Sequence, residues 1–253
     1  MRFRNAVVRP PCSRFANGIT SGTEGRPNIE LALSQHRAYV AALEAAGVTV
    51  RCLPEAEDYP DSTFVEDVAL LTSRGFILTR PGAEARRGES ELMRGELPFD
   101  AEIREPGTVD AGDVCQIDDL FLIGISDRTN EEGARQLADV LARWDFASKA
   151  VDIREIPTLL HLKSGLSYLG DGVVVCHQAL ESHSALLSLT KICPEPDEAY
   201  ASNMVLVNDQ VLFPAGYPEL QSRLESEGYS LAVLDVSEFR KMDGGLSCLS
   251  LRY

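Results

Sequence analysis

Two β-rich runs joined by turn-forming residues recur along the chain at intervals of roughly forty to fifty residues, the signature of a repeat architecture. "FVEDVALLTSRGFILTR" holds one such hairpin around Ser73-Arg74-Gly75, and "GDVCQIDDLFLIGIS" another around Asp118-Asp119. "SGLSYLGDGVVVCHQ" turns at Gly170-Asp171-Gly172 and "ASNMVLVNDQVLFPAG" at Asn208-Asp209. Gly, Asn and Asp tolerate the left-handed backbone that tight hairpins need. Helical stretches lie between them. "NIELALSQHRAYVAALEAAGV" has apolar residues at helical spacing and stops at Gly47; "NEEGARQLADVLARW" opens on Asn130 as cap; "YPELQSRLESEGY" leads into "SLAVLDVS". The expected unit is hairpin, helix, strand, seen four times.

A fifth unit is split between the chain ends. "GGLSCLSLRY" supplies one strand with no partner after it, and "RFRNAVVRP" is an orphan strand at the start. Pairing them completes a fifth hairpin and closes the repeats into a ring with no exposed sheet edge. The expected fold is therefore α/β, a closed propeller-like ring of five units, with residues 1–253 as a single domain.

Composition narrows the function. A net charge of −15 disfavours nucleic acid and anionic membranes as partners and suits a cationic ligand. No apolar run approaches a membrane span and no signal-peptide core opens the chain, so a cytoplasmic location is expected. The six cysteines, Cys12, Cys52, Cys115, Cys176, Cys193 and Cys248, are scattered without C-x-x-C spacing. With only four histidines beside them, neither a zinc site nor a disulfide framework is expected.

Each hairpin's first strand starts on polar residues unusual for a buried run: Glu66-Asp67, Asp110 with Asp113, His161 with Lys163-Ser164, Asn203, and Asp243 with Cys248. In a closed ring these positions converge near the axis. A cysteine becomes a useful nucleophile beside a base that a third group orients, and Cys248, His161 and Asp110 fit those roles. Asp67 and Glu66 then remain for a cation, because carboxylates pair bidentately with a guanidinium. Singly, each residue has a plainer reading: a cysteine as a small core residue, a histidine as a hydrogen-bonded structural group, an acidic pair as part of a turn.

The motifs "PDSTFVEDVAL", "TRPGAEARRGE", "EPGTVDAGDV", "RTNEEGARQL", "LHLKSGLSYL", "PAGYP" and "KMDGGLSCLSLRY" resemble, in order and spacing, the bacterial dimethylarginine dimethylaminohydrolases of the guanidine-modifying superfamily. The resemblance spans nearly the whole chain and implies the pentein fold, a closed five-bladed α/β propeller and so the same five-unit ring. It implies Cys248 as nucleophile and His161 as general acid and base. The carboxylate behind the histidine falls at Asp110, where many members have Glu, so its contact with His161 is expected to shift or to be bridged by water. Asp67 matches the guanidinium-binding aspartate, with Asp61 and Glu66 as neighbouring contacts. Arg86 and Arg128 match residues holding the amino-acid end of the substrate. Ile19, in a mobile lid, and Met242 match positions that use backbone groups, and Lys163 reads as a structural ion-pair partner.

The implied reaction is hydrolysis of Nω,Nω-dimethylarginine and Nω-monomethylarginine to citrulline plus dimethylamine or methylamine, through a covalent S-alkylthiouronium on Cys248. It needs no cofactor and no metal, and its partner is the small methylated arginine, with a homodimer left open. An arginine deiminase is the rival within the superfamily, although its members typically carry an added helical domain for which this chain has no room. A protein that binds methylarginines without turnover is the rival outside enzymes.

Overall fold

The computed structural model describes residues 2–22 and 24–253. Its strands form five three-stranded sheets built to one plan. In each, a central strand is antiparallel to one neighbour and parallel to the other. The chain divides into two compact units, one formed by the residues up to Val65 together with those from Met204 on, the other by Glu66–Asn203.

In the first unit, β1 (Asn5–Val8) is followed by helix α1 (Ile29–Ala45) and by β2 (Thr49–Cys52), which runs parallel to β1. The chain-terminal strand β15 (Leu251–Arg252) pairs antiparallel with β1, Ala6 opposite Arg252 and Val7 opposite Leu251. The expected pairing of the chain ends is therefore present. The same unit holds β12 (Val205–Val207), β13 (Gln210–Pro214), α4 (Pro218–Ser226), β14 (Leu231–Leu234) and the short α5 (Ser237–Arg240).

The second unit carries three sheets: β3 (Ala69–Leu71), β4 (Phe76–Leu78) and β5 (Ala101–Glu102); β6 (Val114–Ile117), β7 (Leu120–Ile125) and β8 (Ala147–Asp152); β9 (Leu166–Gly170), β10 (Val173–Cys176) and β11 (Thr190–Ile192). Helix α2 (Arg87–Arg94) joins β4 to β5, and α3 (Glu131–Arg143) joins β7 to β8.

Local chemistry explains the elements. Asp118, Asp171 and Asn208 take φ values of 52°, 49° and 56° at three hairpin turns, the left-handed region that Asp and Asn tolerate. Asn28 and Asn130 cap α1 and α3 by accepting from the backbone N–H of Leu31 and Gly133. Helix α3 buries Leu137, Val140 and Leu141 against Phe121, Phe146 and Val109. Truncating a fully buried phenylalanine such as Phe121 to alanine costs about 3–5 kcal/mol.

Two expectations are corrected. The crossover from β10 to β11 contains no α-helix, only two single 3-10 turns at Gln178–Leu180 and Ser184–Leu186. His177 and His183 each open one of these turns as its N-cap, accepting from the backbone N–H two residues on. The polar residues placed on the first strands lie instead on or beside 3-10 turns that precede them, at Val65–Val68, Ala111–Asp113, Leu162–Ser164, Pro196–Ser202 and Ser247–Leu249. Cys248 sits on the last of these. Among the described residues, no helix is long and apolar enough to cross a membrane.

Candidate active site

In the second unit the turns before β3, β6 and β9 bring Asp67, Asp110 and His161 together, all buried, with ligand-type atoms within 4.8 Å of one another. Asp110 caps its turn with extended backbone (φ −94°, ψ 124°), which aims its side chain inward. One carboxylate oxygen accepts the N–H of Gly82 at 2.8 Å, and the other meets Nε2 of His161 at 3.1 Å. The contact expected to shift or need a water bridge is direct.

Asp67 Oδ1 accepts the N–H of Gly112 at 3.1 Å, and its Oδ2 accepts Nη1 of Arg86 at 2.6 Å. Arg86 is also buried, and its Nε and Nη2 reach the buried Glu89, the latter at 2.8 Å. Behind His161, Asp113 accepts the N–H of Leu162 at 2.9 Å and the hydroxyls of Ser126 and Thr129 at 2.7 Å each. Ser126 Oγ accepts the Arg128 N–H, and Gly82 lies so close to the Arg128 backbone that a Cβ there would collide with it. Half-buried Arg128 has no side-chain hydrogen bond or ion pair among the described residues. Glu66 pairs with Lys163 at 2.7 Å, the ion-pair role expected of Lys163.

Burial alone would lower the pKa of His161, but the carboxylates of Asp67, Asp113 and Asp110 raise it from 6.5 to about 9. His161 is thus held as an imidazolium at neutral pH. Burial would raise Asp67, yet His161, Arg86 and Lys163 keep its carboxyl below the usual range. Burial dominates at Asp113 and lifts it to about 6. Asp67, Asp110 and His161 are the one cluster with metal-ligand spacing among the described residues, but both carboxylates already have protein donors on both oxygens.

In the first unit Asp61, buried, accepts the Ile19 N–H through both oxygens at 3.1 and 3.0 Å. A Cβ at Gly18 would collide with Asp61 and touch Met242 Cε at 3.1 Å, so Asp61, Ile19 and Met242 form one local group. The segment around Ile19 is tied down further by Thr20 Oγ1 donating to the Lys241 carbonyl at 3.0 Å. The Ser21 N–H donates to Asp243 at 2.7 Å. Cys248 is buried, and its N–H donates to the Gly245 carbonyl at 3.2 Å.

A family model described as arginine deiminase matches residues 54–213. A curated N(G),N(G)-dimethylarginine dimethylaminohydrolase from Pseudomonas aeruginosa is 41% identical over 99% of this chain and 100% of its own. One from Streptomyces coelicolor is 35% identical over 100% and 98%. The chain belongs to the dimethylarginine dimethylaminohydrolase family. A structure of the P. aeruginosa dimethylarginine dimethylaminohydrolase, a cysteine-to-serine variant complexed with citrulline, superposes with a TM-score of 0.97 at 40% identity over both full chains. A histidine-to-glycine variant of such an enzyme, as an adduct with S-methyl-L-thiocitrulline, gives 0.96 over 99% of this chain. The N-terminal domain of a cyanobacterial arginine dihydrolase gives 0.87 at 18% identity, a likeness of fold alone. The chain has the pentein fold of five repeated α/β units.

For a dimethylarginine dimethylaminohydrolase, the pairing of Arg86 with Asp67 is the feature that sequence reasoning missed. The two were assigned opposite ends of the substrate, and here they bind each other. Glu89 was missed as well, although Arg86 and Glu89 at i,i+3 spacing on one helical face would have signalled it. Gly82 and Gly112 carried no sequence signal. Each matters because a neighbouring backbone or side chain fills the space of its Cβ.

Proposed function

We propose that the protein hydrolyses Nω,Nω-dimethyl-L-arginine and Nω-monomethyl-L-arginine to L-citrulline with Cys248 as nucleophile, His161 as acid then base, and Asp110 as the group that orients His161. The observation carrying this reading is the direct, buried His161–Asp110 contact at 3.1 Å, which leaves the other ring nitrogen for proton transfer. The reading takes residues 1–253 as one catalytic domain.

A guanidinium carbon is a poor electrophile, so binding must hold it in place. Asp67, with Glu66 and Asp61 nearby in sequence, supplies negative charge for the cation, and Arg128, whose side chain has no hydrogen bond or ion pair among the described residues, suits the substrate carboxylate. Arg86 is proposed to help hold that end, and Ile19 and Met242 to contribute backbone groups. Cys248 Sγ, its proton lost to solvent and its thiolate favoured by the cationic substrate, adds to the carbon and gives a neutral tetrahedral adduct. Protonated His161 gives its proton to the departing amine, the C–N bond breaks, and an S-alkylthiouronium remains. His161, now neutral, takes a proton from water as that water adds to the same carbon. That proton transfer restores the imidazolium, and collapse expels the Cys248 thiolate while the hydroxyl proton passes to the released amine through solvent, leaving citrulline.

The full-length identity to dimethylarginine dimethylaminohydrolases favours methylated substrates over arginine. A Listeria welshimeri arginine deiminase matches only 51% of this chain and 36% of its own. Citrulline measured across dimethylarginine, monomethylarginine and arginine tests the reading. Turnover should be confined to the methylated substrates and lost by orders of magnitude in Cys248→Ser. Faster turnover of arginine, or an active serine variant, would overturn it.

A further inference from the structure

Strands β10 and β11 run parallel in the register Val173↔Thr190, Val174↔Lys191 and Val175↔Ile192. One further step sets Cys176 beside Cys193. Adjacent strands lie roughly 4.8 Å apart, inside the span of roughly 4.4–6.8 Å between Cα atoms that a disulfide accepts. The side chains follow the backbone, with the two sulfurs 3.6 Å apart. Both thiols are free, Cys176 is fully buried, and Cys193 is half-exposed at the edge of the core formed with Leu166, Val174 and Leu180. Neither has a part in the proposed chemistry.

We propose that Cys176 and Cys193 are a redox-active dithiol that hydroperoxides oxidise to an intramolecular disulfide. Cys193, the sulfur that solvent reaches, attacks a peroxide oxygen as its thiolate. The O–O bond breaks, hydroxide leaves, and Cys193 becomes a sulfenic acid. The Cys176 sulfur then attacks the sulfenic sulfur; the S–O bond breaks and water departs with the Cys176 proton. Two thiols and one hydrogen peroxide become one disulfide and two waters, the thiols giving up two electrons. Burial, with the neighbouring Cys193 sulfur adding, pushes the Cys176 thiol up to about 12, so Cys193, the thiol that solvent reaches, meets the peroxide first, and the 3.6 Å contact then presents Cys176 to the sulfenic sulfur.

The bond would close the β10–β11 crossover, the one that lacks an α-helix. It would also lie next to His177, whose N–H donates to the Gly165 carbonyl at 2.8 Å, where the turn following His161 ends. Closing a loop of this length removes denatured-state freedom, so the oxidised protein is expected to melt about 5–10 °C higher.

The test treats the full-length protein with hydrogen peroxide, caps remaining thiols, digests without reductant and maps the peptides by mass. The expected product is a Cys176–Cys193 crosslink two hydrogens lighter than the thiols, with the raised melting point reversed by dithiothreitol. Both changes should vanish in Cys193→Ser and, as a second variant, in Cys176→Ala. Oxidation of Cys193 to sulfinic acid with Cys176 still open to alkylation would overturn the proposal, as would a bridge from Cys193 to any other cysteine. A crosslink with no thermal shift would overturn the stapling of the crossover.

Discussion

Replacing Asp110 by Asn keeps the size of the side chain and removes its charge, and the two hydrogen bonds of that side chain decide the outcome. One oxygen holds the Gly82 N–H at 2.8 Å and the other faces His161 Nε2 at 3.1 Å. An asparagine that keeps its carbonyl oxygen on Gly82 must point its amide donor at His161, which then has to turn an unprotonated nitrogen toward it. That disfavours the imidazolium that protonates the leaving group and the neutral Nε2–H tautomer whose free Nδ1 would take the proton from water. The rise of His161 from 6.5 to about 9 is worth about 3 kcal/mol and is shared among Asp67, Asp113 and Asp110. Loss of the directly bonded charge should lower the value by roughly 1–2 units. We expect kcat to fall on the order of 10²–10³, less than the loss of about 10⁴ in serine-protease triads because a thiol is more acidic than a hydroxyl. KM should change little. The stability consequence has a definite sign. Because the folded value lies above 6.5, the contribution of His161 is fully present below about pH 6.5 and is lost as pH rises through about 9. The Asp110→Asn variant should therefore lose less stability between pH 6 and 9.5 than the wild type. Steady-state kinetics against pH, urea unfolding at both pH values and NMR titration of the histidines measure all three effects. Asp110→Glu, which restores charge but must find room for a methylene at a buried site, should recover the pH profile better than the rate. A rise in KM alone with the His161 titration unmoved would refute the orienting role and place Asp110 with the substrate-binding carboxylates.

Glu89→Gln removes the charge that holds Arg86 from behind, and since breaking a buried pair costs about 3–5 kcal/mol, the urea midpoint should drop clearly and KM should rise about tenfold; unchanged stability would show the pair to be dispensable. Gly112→Ala puts a methyl 2.7 Å from Asp67 Oδ1 and 2.9 Å from His161 Nδ1, so kcat/KM should fall on the order of 10². Gly95→Ala, whose nearest neighbour lies 3.7 Å away, should be silent in the same assay. His36 is lowered to about 4, by burial first and by Arg37, against a backbone hydrogen bond to Arg9. Its neutral form is the folded one, so stability should drain away as pH falls from about 6.5 to 4, opposed in part by Asp113, and His36→Gln should flatten that loss in urea titrations.

What could be read in advance was local. Asn130 as cap, Gly47 as stop, and Asp118, Asp171 and Asn208 as hairpin turns each act on backbone within a few residues, so short motifs suffice to find them. The absence of a helix between β10 and β11 was not legible, because the crossover is broken into two short 3-10 turns, each opened by a histidine side-chain cap that a hydropathy pattern does not register. Arg86 shows a different limit. Its neighbour Arg87 is partly exposed and the composition of "ARRGE" is that of a solvated face, yet Arg86 is buried between Asp67, nineteen positions earlier, and Glu89. A partner at that separation is set by the packing of two turns and leaves no trace in spacing.

The five 3-10 turns that precede the first strands explain why chemistry gathers there. A residue within a ladder has its N–H and C=O committed to the neighbouring strands and its side chain committed to one face. A residue on the turn at the head of a strand is buried by the same sheet but leaves the side chain to be aimed independently, as the extended backbone of Asp110 and His161 at the first position of their turns does. The cost is that each polar group so buried needs a donor or acceptor in place. The second unit meets that need from its own turns. Asp113, from the turn before β6, accepts the N–H of Leu162 on the turn before β9, and Asp67, from the turn before β3, accepts the N–H of Gly112. Each turn thus satisfies the carboxylate of the turn before it. The fold can vary the chemical load from turn to turn, acid, imidazole, amide or thiol, without altering the sheets beneath, in all five of which a central strand runs antiparallel to one neighbour and parallel to the other.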